Sequence, residues 1–184
     1  MLIESERVFS NKEAATMKKP NLLLMIATSI LTVSTTTVSS PDSPYITTRS
    51  LSAPMATQLA LAAYKDCTSK GYHVAAAVVD RQGKLLALVR SPLSGPHTIE
   101  VSQGKAYTAA TFKTPTTQLM GRDFMRDIPG ALVFGGGMPI DIGGHFYGGV
   151  GVSGAPERTT PGDIDDECAA AGIASITEEI ELSE

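Results

Sequence analysis

Residues 135–156 read GGGMPIDIGGHFYGGVGVSGAP, and ten of the 17 glycines of the chain fall between Gly130 and Gly154. Residues 138–142 and 146–153 are predicted to form two strands. Gly143 and Gly144 between them supply the positive φ angles that a two-residue hairpin turn requires. This glycine-rich hairpin anchors the predicted sheet.

The second strand of this hairpin has almost no side chains on one face, where Gly149, Gly151 and Ser153 alternate with Val150 and Val152. Glycine weakens a strand, so such a run marks a place where something approaches the backbone closely. A packed helix, a partner subunit and a flat ligand are all consistent with this pattern.

The remaining chain predicts an α+β domain. Apolar residues recur at helical spacing before Gly71, and alternating apolar runs flank a turn at Gly83. Ser52 or Ala53 is predicted to precede the first helix, and Thr98 to cap the second. Hairpins without parallel crossovers imply an antiparallel sheet of about five strands flanked by helices. The predicted helices are 55–69, 99–112, 116–122 and 164–177, and the other predicted strands are 74–80, 84–90 and 131–134.

The composition is typical of a single globular domain with a small net charge. The chain has 184 residues, 18% charged residues and a net charge of −4. No basic cluster occurs beyond Lys18-Lys19, so nucleic-acid binding is not expected.

The N-terminal part of the chain has the pattern of a secretory signal peptide. A short basic region at Met17-Lys18-Lys19 is followed by an apolar run at residues 22–31 and a Ser/Thr-rich tail. We therefore expect residues 1–40 to be an extension and signal peptide, 41–53 a flexible leader, and 54–184 the folded domain. The predicted location is secreted or periplasmic.

Two cysteines, Cys67 and Cys168, follow the predicted signal peptide. In an oxidising compartment they can form one disulfide, and elsewhere they can remain buried thiols or act as a redox-active pair. Their spacing does not match a zinc motif.

No constellation of catalytic side chains is recognisable. His73, His97 and His145 are not spaced as a metal-binding pair. His97 follows a Gly-Pro loop at a helix start, which is a common location for functional side chains, and His145 begins the glycine-rich strand. The acidic residues 163–167 are explained by the dipole of the last helix. A binding role is therefore favoured over catalysis.

Five ordered motifs resemble the GlcG/HbpS haem-binding family over about residues 54–177: AVVD with Gly83 and LLA at 77–87, KAYTA at 105–109, GGMPI at 136–140, GVGVSGA at 149–155 and DECA at 166–169. This resemblance implies an α+β domain with profilin-like layering that assembles into homo-oligomers. Some exported members of this family sense haem or redox state beside a membrane-bound partner, so the resemblance also implies such a role.

For this chain the resemblance implies haem as a cofactor. It offers His97 and Thr98 as alternative iron ligands. His145 is a further candidate because it flanks the glycine hairpin, and the carboxylates of haem suit a contact with Lys105 or Arg90. Gly149 and Gly151 would supply a flat floor. Two alternatives remain: a corrinoid- or glycolate-linked enzyme or accessory protein without haem, and an interaction domain without a ligand.

Overall fold

The computed structural model describes residues 44–183, so the predicted signal peptide lies outside the described residues. None of the helices within this range is long and apolar enough to cross a membrane. Two short 3₁₀ turns, Thr116–Leu119 and Asp123–Asp127, follow the second helix. The regular elements are α1 (Ala53–Ser69), β1 (Ala75–Asp80), β2 (Leu85–Arg90), α2 (Thr98–Phe112), β3 (Gly137–Ile142), β4 (His145–Ser153) and α3 (Asp163–Glu181).

The four strands form one antiparallel sheet in the order β2-β1-β4-β3. Helices α1 and α3 pack together on one face, and their apolar stripes share a core with Val78, Val150 and Ile140. Helix α2 covers the other face, where Ala106 and Ala110 meet Val79 and Phe146. The predicted α+β class and the antiparallel sheet with flanking helices are confirmed.

Local sequence features set the ends of these elements. Ser52 caps α1 by accepting a hydrogen bond from the Met55 N–H. Gly71 ends α1 at φ +87°. Its N–H donates to the Thr68 carbonyl and the Tyr72 N–H donates to the Cys67 carbonyl, which forms a Schellman motif. At the glycine hairpin Gly143 and Gly144 have φ values of 59° and 76°, as a two-residue turn of this kind requires.

Residues 131–134 do not form the predicted fifth strand. The Leu132 N–H donates to the Thr108 hydroxyl of α2 at 2.7 Å, so this backbone lies against the helix and not in the sheet. The predicted helix over 116–122 is also wrong, because the structure has only the short 3₁₀ turn there. Thr98 is the first residue of α2 and His97 is the N-cap, and no side chain caps this helix.

The glycine face of β4 is occupied by α2. A Cβ on Gly151 would lie 2.1 Å from the Ser102 carbonyl oxygen, and one on Gly149 would lie 2.3 Å from that of Ala106. The helix backbone therefore rests directly on the strand. Of the three occupants that the sequence left open, the structure selects the packed helix, and the expectation that Gly149 and Gly151 form a floor for a ligand is wrong.

A disulfide joins Cys67 of α1 to Cys168 of α3, across 101 residues of sequence. Both cysteines are fully buried where the two helices pack. The structure thus resolves the alternatives for this pair in favour of a covalent bridge.

Candidate functional site

The start of α2, the end of β4 and the start of α3 border an open pocket of about 290 Å³. We call it the His97 pocket; its lining residues include His97, Lys105, Phe134, Ser153, Glu157 and Asp165. His97 and Glu157 are exposed, whereas Lys105 and Asp165 are buried. The pocket is therefore polar, with an ion pair in its wall.

His97 and Thr98 are adjacent in sequence but differ in accessibility. The His97 ring is exposed, packs over Gly95, and makes no hydrogen bond with any of residues 44–183. Thr98 is 1% exposed, and its hydroxyl is bonded to the Gly95 carbonyl at 2.7 Å and to the Ser94 hydroxyl at 3.2 Å. Of these two candidate ligands, His97 is the one that presents a donor atom to the surface.

His145, the third candidate, lies at the opposite end of β4 from Ser153, which lines the His97 pocket. Eight residues of extended strand span about 26 Å. Gly154, just beyond the strand, approaches the Thr98 methyl group. The structure thus brings His97 and Thr98 together but not His145, so one chain cannot place His97 and His145 on the same iron.

Lys105 forms the centre of a buried ion pair. Its Nζ atom lies 2.9 Å from the Asp165 carboxylate and 2.9 Å from the Val152 carbonyl oxygen, and 4.6 Å from the centroid of the Phe134 ring. The two charged residues are only 1% and 2% exposed. Desolvation is the largest cause of the shift in both pKa values: it lowers the pKa of Lys105 and raises that of Asp165.

The backbone of Gly135-Gly136-Gly137 passes directly over this ion pair. Gly136 has φ +110°, and a Cβ there would lie 2.6 Å from the Lys105 Nζ. Asp166 of α3 holds the run in place, because its carboxylate accepts the Gly136 N–H at 2.6 Å. The glycines therefore allow the chain to pass over the pair at van der Waals distance.

Arg90 ends β2 beside the loop that leads to His97. One of its terminal nitrogens donates to the Ser94 carbonyl, and Ser94 is also bonded to Thr98. The Arg90 Nε is buried and has no hydrogen-bond partner in the described part of the chain. A buried N–H without a partner is costly, so it marks a point where an acceptor can be gained.

Sequence reasoning missed Asp165 and Asp166 as site residues and attributed them to the helix dipole. The structure places Asp165 on Lys105 and Asp166 on the glycine run. The only available indication was that one buried helix face carried a lysine while a later helix began with several carboxylates. Within residues 44–183 no group of three or more His, Cys, Asp or Glu side chains is placed to hold a metal ion.

Comparison with known proteins identifies the family. Residues 51–174 match the family model described as "Haem degrading protein HbpS-like". Protein GlcG of Escherichia coli strain K12 is 34% identical over 108 residues, covering 56% of this chain and 81% of the relative. The chain therefore belongs to the HbpS-like family, as its motifs predict.

Two solved structures share this fold. The crystal structure of HbpS is 36% identical with a TM-score of 0.67, over 74% of this chain and 97% of that one. The crystal structure of a PduOC–haem complex is 27% identical with a TM-score of 0.60, over 70% of this chain and 96% of that one.

Proposed function

We propose that this protein binds haem at the start of α2, with His97 as the axial ligand of the iron. The observation that carries the proposal is the exposed imidazole of His97, which has no hydrogen-bond partner among residues 44–183. Imidazole is a common haem ligand in proteins. Membership in the HbpS-like family and the similarity to a domain crystallised with haem support this choice of cofactor.

The surroundings of His97 suit the edge of a large flat apolar ring. Leu93, in the loop before His97, is 72% exposed, and Pro92 and Pro96 of the same loop are exposed as well. The His97 pocket itself is too small and too polar to enclose the macrocycle, since sites for ligands of drug size range from about 300 to 1,000 Å³ and are mostly apolar. We infer that Pro92, Leu93 and Pro96 would contact the macrocycle outside the pocket.

Arg90 is the better of the two proposed propionate contacts. Its buried Nε lacks an acceptor, and a carboxylate would satisfy it with a charge-assisted hydrogen bond. Lys105 already donates to Asp165 and Val152. A propionate at Lys105 would have to compete with the carboxylate of Asp165, which favours Arg90.

In this arrangement each residue has a binding or positioning role. His97 would ligate the iron through its imidazole, Arg90 would orient the propionates, and Leu93 would shield an apolar edge of the bound group from water. Haem, when bound, supplies redox and oxygen chemistry. The hydroxyl of Thr98 holds the loop through Ser94 and Gly95, and so fixes the direction of His97.

We further propose that the protein is an exported homo-oligomer that senses, stores or scavenges haem, and that a membrane-bound sensor is a possible partner. Export is supported by the predicted signal peptide and by the disulfide, which is typical of oxidising compartments. Assembly is supported by β2, an edge strand of six residues of which none is fully buried, including the half-exposed Leu85.

A haemin titration of the domain, followed by absorbance and size-exclusion chromatography, tests this function. We expect a saturable Soret shift for the wild type and at least a tenfold loss of affinity for His97→Ala, or about 1.4 kcal/mol. His145→Ala is the matched control, because it removes an exposed histidine from the other end of β4. Arg90→Ala is expected to weaken binding without changing the ligand-dependent Soret position.

Unchanged affinity and spectrum in His97→Ala would refute the ligand assignment. Loss of binding in His145→Ala alone would move the site to the other end of β4. A response that never saturates in the wild type would refute haem binding, and the corrinoid- or glycolate-linked role would then be the hypothesis to test.

A further inference from the structure

The haem proposal makes no use of the most deeply buried charged groups in the fold. Lys105 lines the His97 pocket, and so does Asp165, whose carboxylate lies 2.9 Å from the Lys105 Nζ. A primary amine beside a carboxylate at the edge of a cavity is a combination that captures carbonyl compounds, because the amine is the nucleophile and the carboxyl group carries the proton.

The Phe134 ring separates this amine from solvent. It lies 4.6 Å from the Nζ atom, is 37% exposed, and belongs to the irregular segment before β3. Phe134 also borders a second cavity of about 360 Å³, lined by Arg126, Leu132 and Val133 among others. The ring therefore borders both cavities.

We propose that the His97 pocket is a site where Lys105 captures small neutral aldehydes as an imine, with Asp165 as the proton carrier and Phe134 as the gate. The cavity of about 290 Å³ accommodates a molecule of a few heavy atoms and not a macrocycle. The exposed Glu157 in its lining disfavours aldehydes and ketones that bear a carboxylate, which selects neutral compounds.

The reaction balances without any further reactant. The ion pair first becomes neutral as the Lys105 ammonium gives a proton to Asp165. The amine nitrogen then bonds to the carbonyl carbon, the carbonyl π bond breaks, and the oxygen takes the proton from Asp165. The nitrogen returns a proton to the carboxylate, and the hydroxyl group leaves with that proton as water. The product is the protonated imine, paired with the Asp165 carboxylate.

The charges around Lys105 act in opposite directions. Desolvation lowers its pKa, whereas Asp165 and Asp166 of α3 raise it, and desolvation is the larger effect. His97 of the α2 N-terminus and Glu157 of the loop after β4 face the same cavity. Burial also raises the pKa of Asp165, so both shifts favour the neutral pair that the first step needs.

The experiment is reductive alkylation of the folded full-length domain with limiting propionaldehyde and cyanoborohydride at about pH 7, followed by peptide mass spectrometry. Exposed lysines with an ordinary pKa of about 10.4 are almost entirely protonated there, and each unit of depression raises the neutral fraction tenfold. We expect Lys105, whose pKa is lowered by burial, to be alkylated several-fold faster than the exposed Lys65 and Lys84. The preference should disappear in urea.

The gate is tested by Phe134→Ala, which should accelerate alkylation of Lys105. Phe124→Ala is the matched control, because Phe124 is exposed and does not line the pocket. Lys105→Arg retains the positive charge but removes the amine, so the fast alkylation at position 105 should be lost. If that variant fails to fold, the pair of phenylalanine variants still decides the question.

Alkylation of Lys105 no faster than that of exposed lysines in the folded wild type would overturn the proposal, as would equal rates in the two phenylalanine variants. The result is independent of haem. His97→Ala is expected to lose haem affinity while Lys105 retains its fast alkylation, so failure of one proposal is distinguishable from failure of the other.

Discussion

Replacing Gly151 with alanine tests the close packing of α2 on the sheet. The new methyl group would lie 2.1 Å from the Ser102 carbonyl oxygen and 2.6 Å from the Ala106 nitrogen. Both are backbone atoms of a helix, and an ordinary carbon–oxygen contact is about 3.3 Å or longer. The helix and β4 must therefore separate by about 1 Å along much of their contact.

The expected cost follows from this geometry. Overpacking a core costs about 1–3 kcal/mol, and a clash with backbone falls at the upper end of that range. A glycine-to-alanine change also lowers the entropy of the unfolded state, which offsets about 0.4–1 kcal/mol of this cost. We expect the free energy of unfolding to fall by about 2 kcal/mol or more, with a melting temperature lower by roughly 6–8 °C.

Gly104→Ala is the matched control within the same helix. Its methyl group would meet the Leu132 side chain at 2.6 Å, and this flexible end can rotate away. Helix propensity favours alanine by up to about 1 kcal/mol, so this variant should be as stable as the wild type or more stable. Urea unfolding followed by circular dichroism measures both variants. Equal stabilities for Gly151→Ala and the wild type would refute the packing argument.

Three further variants test other parts of the fold. The double variant C67S/C168S should lower the free energy of unfolding by about 2–4 kcal/mol, and reducing agent should destabilise the wild type but not this variant; identical wild-type unfolding curves with and without reductant would argue against the bridge. Backbone N–H groups, that of Arg158 first, lower the pKa of Asp163, so its stabilisation is present above the unfolded value of 3.8 and is lost as pH falls below it. The melting temperature of Asp163→Asn should therefore be lower than that of the wild type at neutral pH, and the difference should disappear in strong acid. A difference that does not depend on pH would contradict this account. Asp166→Asn should raise the hydrogen-exchange rate at Gly136, whose N–H it holds, and mass spectrometry that finds unchanged protection there would show that the carboxylate does not fix the glycine run.

Local signals were sufficient for most of the fold. The hairpin at Gly143-Gly144, the start of α1 at Ser52 or Ala53 and its end at Gly71 were predicted because each depends on the conformation of a few neighbouring residues. Residues 131–134 were predicted wrongly for the same reason: an apolar run of four fits a strand locally, but a distant hydroxyl on Thr108 takes the N–H that a strand would pair. Among the site residues, His97 was chosen from its position after a Gly-Pro loop, and the structure leaves its ring accessible.

The sequence by itself determined the α+β class, the two hairpins and the positions of the long helices, since periodicity and turn conformation depend on residues that are close in the chain. Only the tertiary structure decided that the glycine face of β4 receives α2, that Cys67 bonds to Cys168, and that Lys105 pairs with Asp165. These partners lie 101 and 60 residues apart in the chain. A charged residue or a cysteine does not indicate its partner in the sequence, because the fold of the intervening chain determines which residues come close together.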